Sequence, residues 1–86
     1  MTLSEIYKLI NPIVIEYKAK NIESHQLPYD RLSIILKIRE DSIFIILDYI
    51  TFDTVMWIYP NSKRKCMSYS GDYEKIINDL KQYLSK

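Results

Sequence analysis

The chain has 86 residues, of which 48% are apolar and 27% charged, and its formal net charge at pH 7 is +1. These values are typical of a folded globular chain, exclude intrinsic disorder and predict no obligatory polyanionic partner. A single Gly excludes the glycine-rich loops that bind nucleotide phosphates, and one Cys with one His excludes a zinc site made only of Cys and His. We therefore expect no cofactor and no metal.

A chain of this length predicts one domain, residues 1–86. The three observations that follow predict that the chain lies in the cytoplasm. It contains no apolar run of about 18 residues, so we expect no transmembrane helix, and its first residues lack the basic and apolar segments of a signal peptide. The lone Cys66 fits a reducing compartment. Ile, Lys, Tyr and Asn, which have AT-rich codons, outnumber Gly, Ala, Arg and Pro. This bias indicates an AT-rich genome of bacterial, viral or plasmid origin.

The first segment has the pattern of a helix over about residues 3–20. Thr2 followed by Glu5 matches a capping box. One apolar stripe then recurs at helical spacing: Ile6, Ile10, Ile13 and Tyr17. Pro12 predicts a kink or two short helices, and the β-branched run that follows it leaves a strand as the alternative there. Residues 21–30 are polar and contain a Pro, which predicts a loop.

The period of the apolar residues then changes to two, which is typical of strands. Three strands are predicted over about 31–39, 43–50 and 54–59, and residues 65–69 predict a short fourth strand. Their short connections predict an antiparallel meander. Asp72 is expected to cap an amphipathic C-terminal helix. The predicted fold class is α+β: an N-terminal helix, a three- to four-stranded antiparallel meander and a C-terminal amphipathic helix, with both helices on one face of a two-layer sandwich.

The second face of the predicted sheet carries more apolar side chains than a solvated face needs. An antiparallel sheet with one wet face alternates more strictly, and a contiguous exposed apolar patch generally marks an interface. A slip of one residue in the third strand decides whether Trp57 and Tyr59 or their neighbours join this face. The predicted protein interface has six residues: Ile35, Phe44, Ile46, Ile50, Trp57 and Tyr59. The alternative is that one helix covers each face of the sheet, which would leave nothing exposed.

A second candidate site is the basic turn at Lys63, Arg64 and Lys65, with Tyr69 nearby. Basic side chains bind phosphates and aromatic rings stack on bases, so this segment suggests a nucleic-acid-binding or transcription-regulatory protein. The nearly balanced net charge argues against it, because nucleic-acid-binding domains are usually clearly basic.

Catalysis has weak support in the sequence. His25 lies beside Ser24 and five residues before Asp30, but a catalytic triad needs three groups that converge in space, which neighbours in a loop do not supply. Cys66 paired with His25 across the fold would be a nucleophile, whereas a lone Cys in a strand is more often a packed apolar residue. We therefore expect no catalytic residue.

Asp48 is unusual because the alternation places it among apolar residues of the second predicted strand. A buried, unpaired carboxylate is costly. We therefore expect this side chain either to be open to water or to pair with a cation. The candidate cations are Lys37, Arg39 and Lys65.

The sequence therefore predicts a small non-enzymatic protein-binding module that binds another protein, itself as a homodimer, or both. Small chains of this composition without catalytic motifs are common on phages and other mobile elements. One concrete form is an inhibitor of a host defence system, such as a restriction nuclease or a CRISPR nuclease, that covers a working surface of its target. The alternative is the nucleic-acid-binding protein described above. We expect no membrane partner.

Overall fold

The computed structural model describes residues 3–61 and 65–85 of the chain. In chain order its elements are α1 (Leu3–Glu16), β1 (Lys20–Leu27), β2 (Arg31–Ile38), β3 (Asp41–Asp48), β4 (Asp53–Tyr59), β5 (Met67–Asp72) and α2 (Tyr73–Leu84). The strands pair antiparallel with their sequence neighbours, in the order β1-β2-β3-β4-β5. This confirms the α+β meander with a helix at each end, with five strands instead of three or four.

The additional strand is β1, which occupies most of the segment predicted to be a loop. Its residues are exposed except for the half-buried Leu27, so the alternation that reveals a strand is missing. A bulge interrupts its pairing with β2 between Lys20 and Glu23, where Asn21 has a φ of 53°. The predicted helix was also too long, because α1 ends at Glu16. α1 runs through Pro12 as one helix.

The core lies between the two helices and one face of the sheet. Alternate residues of the three central strands are buried on this face: Leu32, Ile34, Leu36, Ile38, Ile43, Ile45, Leu47, Thr54, Met56 and Ile58. The helices bury the following side chains in the same cluster: Ile6, Ile10, Ile13, Tyr73, Ile76, Ile77, Leu80 and Leu84. Both helices therefore cover one face, as predicted, and the alternative of one helix on each face is wrong.

Turns and one cap set the positions of the strands and of α2. Ile38 pairs with Asp41, and the two residues between them both have positive φ angles, as in a type I′ hairpin turn. The pairing of Phe44 with Trp57 settles the register of β4 and places Trp57 on the face that the helices leave uncovered. Asp72 caps α2 as predicted, because its Oδ1 accepts a hydrogen bond from the Lys75 backbone N–H at 2.8 Å.

Candidate protein-binding surface

The sheet face opposite the helices, here called the outer face, has an apolar centre. Six side chains from β2, β3 and β4 form it and are here called the outer patch: Ile35, Phe44, Ile46, Val55, Trp57 and Tyr59. They are contiguous because Phe44 pairs with both Ile35 and Trp57, and Ile46 pairs with Val55. Five of the six are half-buried, and Tyr59 is 47% exposed. The side chains of the outer patch are therefore accessible to a partner while remaining partly packed against their neighbours.

The structure brings together five of the six predicted interface residues. The sixth, Ile50, lies outside the sheet, because β3 ends at Asp48 and Ile50 is in the following turn, where it is 63% exposed. Its expected place on a strand was wrong. Val55 was not named from the sequence, because it joins this face only in the register that the sequence left open.

An aromatic ring contact helps to hold the centre of the outer patch in place. The rings of Phe44 and Tyr59 meet edge to face, with centroids 5.2 Å apart and an interplanar angle of 88°. Small side chains flank these rings on the same face: Ser33, Ser42, Ser68 and Ser70. The alternation of large rings and serines makes the surface uneven and therefore able to interlock with another surface.

The alternation of large rings and serines leaves two shallow depressions on the outer face. One has a volume of about 480 Å³ and the following lining: Ser33, Ser42, Phe44, Ile46, Trp57 and Tyr59. The other has a volume of about 500 Å³, and Ile46 and Val55 form its apolar side. Asp48 and Asp53 form its polar side, and Ser70 lies where β5 borders it. Each depression is large enough to take one bulky side chain of a partner.

Apart from Glu23 and His25 at the β1 edge, the charges of the outer face are divided between its two ends. At one end, here called the acidic end, three carboxylates face one guanidinium: Asp48, Asp53, Asp72 and Arg31. At the opposite end, here called the basic end, Lys20 and Lys37 share one carboxylate, with Nζ–Oε distances to Glu40 of 3.9 and 3.4 Å. Lys65 lies exposed two residues before β5 at the same end. Apolar centres with charged rims are typical of protein interfaces.

The structure explains why Asp48 is tolerated among the apolar residues of β3. Its Oδ1 accepts hydrogen bonds from the backbone N–H groups of Ile50 and Thr51, at 2.9 and 3.0 Å. These N–H groups, with Thr51 first, lower the pKa of Asp48, and the positive charge of Arg31 adds a smaller effect in the same direction. The contributing cation is therefore Arg31 and none of the three proposed from the sequence.

The residues considered for catalysis are not brought together. His25 lies on the outer face of β1 with Nε2 3.3 Å from Glu23 Oε2, whereas Ser24 points to the other face, where its Oγ accepts a hydrogen bond from the Tyr7 hydroxyl at 2.8 Å. Cys66 precedes β5, at the opposite edge of the sheet from His25. Within residues 3–61 and 65–85, no three His, Cys, Asp or Glu side chains are placed to hold a metal ion.

Cys66 itself is exposed, so its expected packing as a small apolar residue is wrong. It lies beside Tyr59 at the basic end, and the negative charge of its thiolate, with a further contribution from burial, raises the pKa of the Tyr59 phenol.

The predicted nucleic-acid site is only partly described. Lys63 and Arg64 lie outside the described residues, and Lys65 is exposed. Tyr69 pairs with Met56 on the helix-covered face and packs against the core, so its ring does not lie on the outer face. The nucleic-acid-binding function stays a prediction.

The two edges of the sheet are less open to pairing than its outer face. β1 is polar and bulged, and both features discourage the addition of another strand. Along β5, the Lys75 ammonium donates a hydrogen bond to the Ser70 carbonyl oxygen at 3.3 Å and forms an ion pair with Asp79 at 2.8 Å. The Lys75 side chain also lies over Gly71, where an added Cβ would come within 2.7 Å of its Cδ. A strand adding to β5 would have to displace this side chain.

Neither helix in the described part of the chain is long and apolar enough to cross a membrane. Comparison with protein-family models, with curated proteins and with solved structures found no significant match for this chain.

Proposed function

We propose that this chain is a small non-enzymatic protein-binding module whose working surface is the outer patch. The proposal rests on the outer patch itself: its six neighbouring apolar side chains are covered by neither described helix. Half-buried aromatic side chains are suited to binding, because they bring a large apolar area at a small additional cost in conformational entropy. The charged ends of the outer face surround this centre in the way that rims surround interface cores.

The module acts by occlusion. Its outer face is a broad surface with two shallow depressions instead of one deep cavity, which suits contact with another protein surface better than enclosure of a small molecule. Because β1 and β5 are both protected against strand addition, the face is the better supported binding surface than the edges.

The proposed target is a nuclease of a host defence system, of the restriction or CRISPR type. Support for this step comes from the sequence: the AT-rich codon bias and the small size fit a gene of a phage or another mobile element. A protein that covers the working surface of such a nuclease would protect incoming DNA without any chemistry of its own.

The test compares wild type with Ile46→Asp and with Ile15→Asp. Both substitutions replace an exposed or half-buried Ile by Asp, but Ile15 is 77% exposed on α1, away from the outer face. Each variant is produced in cells that carry one of a panel of restriction or CRISPR nucleases, and the survival of targeted phage or plasmid is measured. We expect wild type and Ile15→Asp to raise survival against at least one nuclease, and a folded Ile46→Asp to give none.

Two outcomes would contradict the proposal. If Ile46→Asp protects as well as wild type does, the outer patch is not the working surface. If wild type protects against no nuclease in the panel, the proposed target class is wrong, and the binding function is then tested directly by capture of labelled host proteins with wild type and both variants. Equal capture by all three would overturn the binding function as well.

A further inference from the structure

We propose that the first occupant of the outer face is a second copy of this chain, placed face to face in a two-fold symmetric, reversible dimer. This inference rests on the proposed working surface and adds to it the identity of a partner. In such a dimer the outer patch of each copy is buried until a target competes for it.

The charges of the outer face select the orientation of the second copy. A two-fold axis that lies in the interface perpendicular to the strands reverses the strand direction, so the acidic end of each copy lies over the basic end of the other. Because each strand then lies over its counterpart, Asp72 of one copy faces Lys65 of the second copy, with Asp53 beside it on the neighbouring strand. Arg31 faces Lys37 of the second copy, whose ammonium is already paired with Glu40. A two-fold axis parallel to the strands would instead place acidic end on acidic end, which like-charge repulsion disfavours.

The shape of the outer face favours the same orientation of the second copy. When the axis passes between the two central rows of the face, the row that contains Phe44 and Trp57 lies over the row that contains Ile46 and Val55 of the second copy. The large rings then enter the depression of about 500 Å³ that Val55 and Ser70 line. Because the symmetry repeats this contact, each copy supplies one ring row and one depression.

The size of the face predicts a reversible association. Five strands about 4.8 Å apart and roughly seven residues long, at about 3.3 Å per residue, give a planar face of roughly 550 Å² per copy. A dimer would then bury about 1,100 Å² in total, which lies at the boundary between transient and stable interfaces. Such an interface is compatible with a dissociation constant in the micromolar range, so a tighter-binding target displaces the second copy.

The association also closes at two copies. A face-to-face contact uses the outer face of both chains completely, and the helices cover the other face of each sheet. The bulge in β1 and the Lys75 side chain at β5 discourage growth through the edges. We therefore expect dimers and not filaments.

The test measures the molar mass of the full chain by sedimentation and by light scattering, from about 1 µM to about 500 µM, which brackets micromolar affinity. A reductant is present so that the exposed Cys66 does not cross-link copies. We expect the mass of wild type to rise from 10.3 kDa towards twice that value and no further.

Charge reversal tests the orientation. Asp53→Lys and Lys65→Asp each place like charges opposite each other, so each is expected to weaken the dimer about tenfold or more. The double variant restores opposite charges at positions 53 and 65 but leaves Asp72 opposite a carboxylate, so it is expected to dimerise more strongly than either single variant and less strongly than wild type, as coupling between a contacting pair requires. Glu16→Lys is the control for Asp53→Lys, because it makes the same change from a negative to a positive side chain on α1, away from the outer face. It should leave dimerisation unchanged.

Three results would overturn the inference: a monomer at every concentration, single reversals without effect, or a double variant as weak as the singles. The first two exclude the proposed dimer and its charge contacts, and the third excludes the pairing of Asp53 with Lys65. None of these results contradicts the proposed function, because protection against a nuclease by wild type, and its loss in Ile46→Asp, are measured in separate experiments. Conversely, a dimer with restored charge pairing stands even if no nuclease is inhibited.

Discussion

The Tyr73 hydroxyl donates a hydrogen bond to the Ile6 backbone carbonyl oxygen across 3.1 Å. Both residues are 0% exposed, and they lie 67 positions apart in the sequence. Burial, with a smaller contribution from the Tyr7 phenol, raises the pKa of Tyr73 above its ordinary value. The bond therefore joins the first turn of α2 to α1 in the dry interior, and it ties the two helices together over the same face of the sheet.

Tyr73→Phe removes this hydrogen bond and leaves the ring in place. We expect the substitution to reduce the free energy of unfolding by about 1–2 kcal/mol, because a buried carbonyl loses a partner. For a chain of this size, this corresponds to a fall in Tm of roughly 4–15 °C. Thermal unfolding at pH 7, followed by circular dichroism, measures the effect. An unchanged Tm would mean that the bond contributes nothing to stability.

The same substitution should change the response to alkali. Because the folded-state pKa of Tyr73 is raised, the stabilisation from its bound proton is fully present below the unfolded-state pKa of about 10. It is lost as the pH rises from there towards the folded-state pKa. We expect the stability difference between wild type and Tyr73→Phe to shrink above about pH 10 in urea unfolding experiments. A difference that is constant from neutral to alkaline pH would contradict this expectation.

Asp48 should stabilise the β3–β4 turn through its charge. Its pKa is lowered in the folded chain, so this stabilisation is present above the unfolded-state pKa of about 3.9 and is lost as the pH falls through the folded-state value. Asp48→Asn keeps an oxygen that can accept the two N–H groups but removes the charge. We expect this variant to be less stable than wild type at pH 7 and equally stable well below pH 3.9 in urea unfolding experiments. Asp53→Asn, at the other end of the same turn, is the control.

The turn between β2 and β3 carries backbone strain. Arg39 and Glu40 have φ angles of 52° and 70°, which residues with a Cβ adopt at a cost and Gly adopts freely. We expect Glu40→Gly to raise the free energy of unfolding by about 0.5–1 kcal/mol, because relief of the strain exceeds the entropy that Gly adds to the unfolded chain.

Glu40→Ala is the matched control for that substitution. It also removes the exposed ion pairs with Lys20 and Lys37, which are worth little, but it keeps a Cβ at the strained position. Thermal and urea unfolding should place Glu40→Gly above Glu40→Ala. If the Ala variant is equally stable, the positive φ is not the source of the gain.

The helices and central strands could be predicted because their apolar residues repeat with a clear period. β2 buries alternate residues from Leu32 to Ile38, which is the pattern visible in its sequence. α2 likewise buries one apolar stripe and is capped by Asp72.

Two features of the fold could not be predicted from the periodicity of the apolar residues. β1 needs only backbone pairing with β2, and exposure of both its sides leaves no apolar pattern.

The register of β4 was the second unpredictable feature, and the candidate surface depends on it. Both sets of alternate residues in this strand contain large apolar side chains, so the sequence pattern alone is consistent with either register. The turn resolves it: the Phe52 N–H donates a hydrogen bond to the Asp48 carbonyl oxygen at 2.7 Å, and Leu47 then pairs with Thr54. Trp57 and Tyr59 reach the outer patch for this reason.

Phe44 and Ile45 are neighbours on opposite faces of β3, so they separate the outer patch from the core. Ile45 is 0% exposed, and Ile45→Asp would bury a charge at a cost that exceeds the stability of a typical small chain, so we expect it to unfold. Phe44 is half-buried, and Phe44→Asp should cost about 1–2 kcal/mol and keep the fold. Circular dichroism and urea unfolding distinguish the two. An unfolded Phe44→Asp variant would show that the outer face is part of the core, and the proposed binding surface would then be wrong.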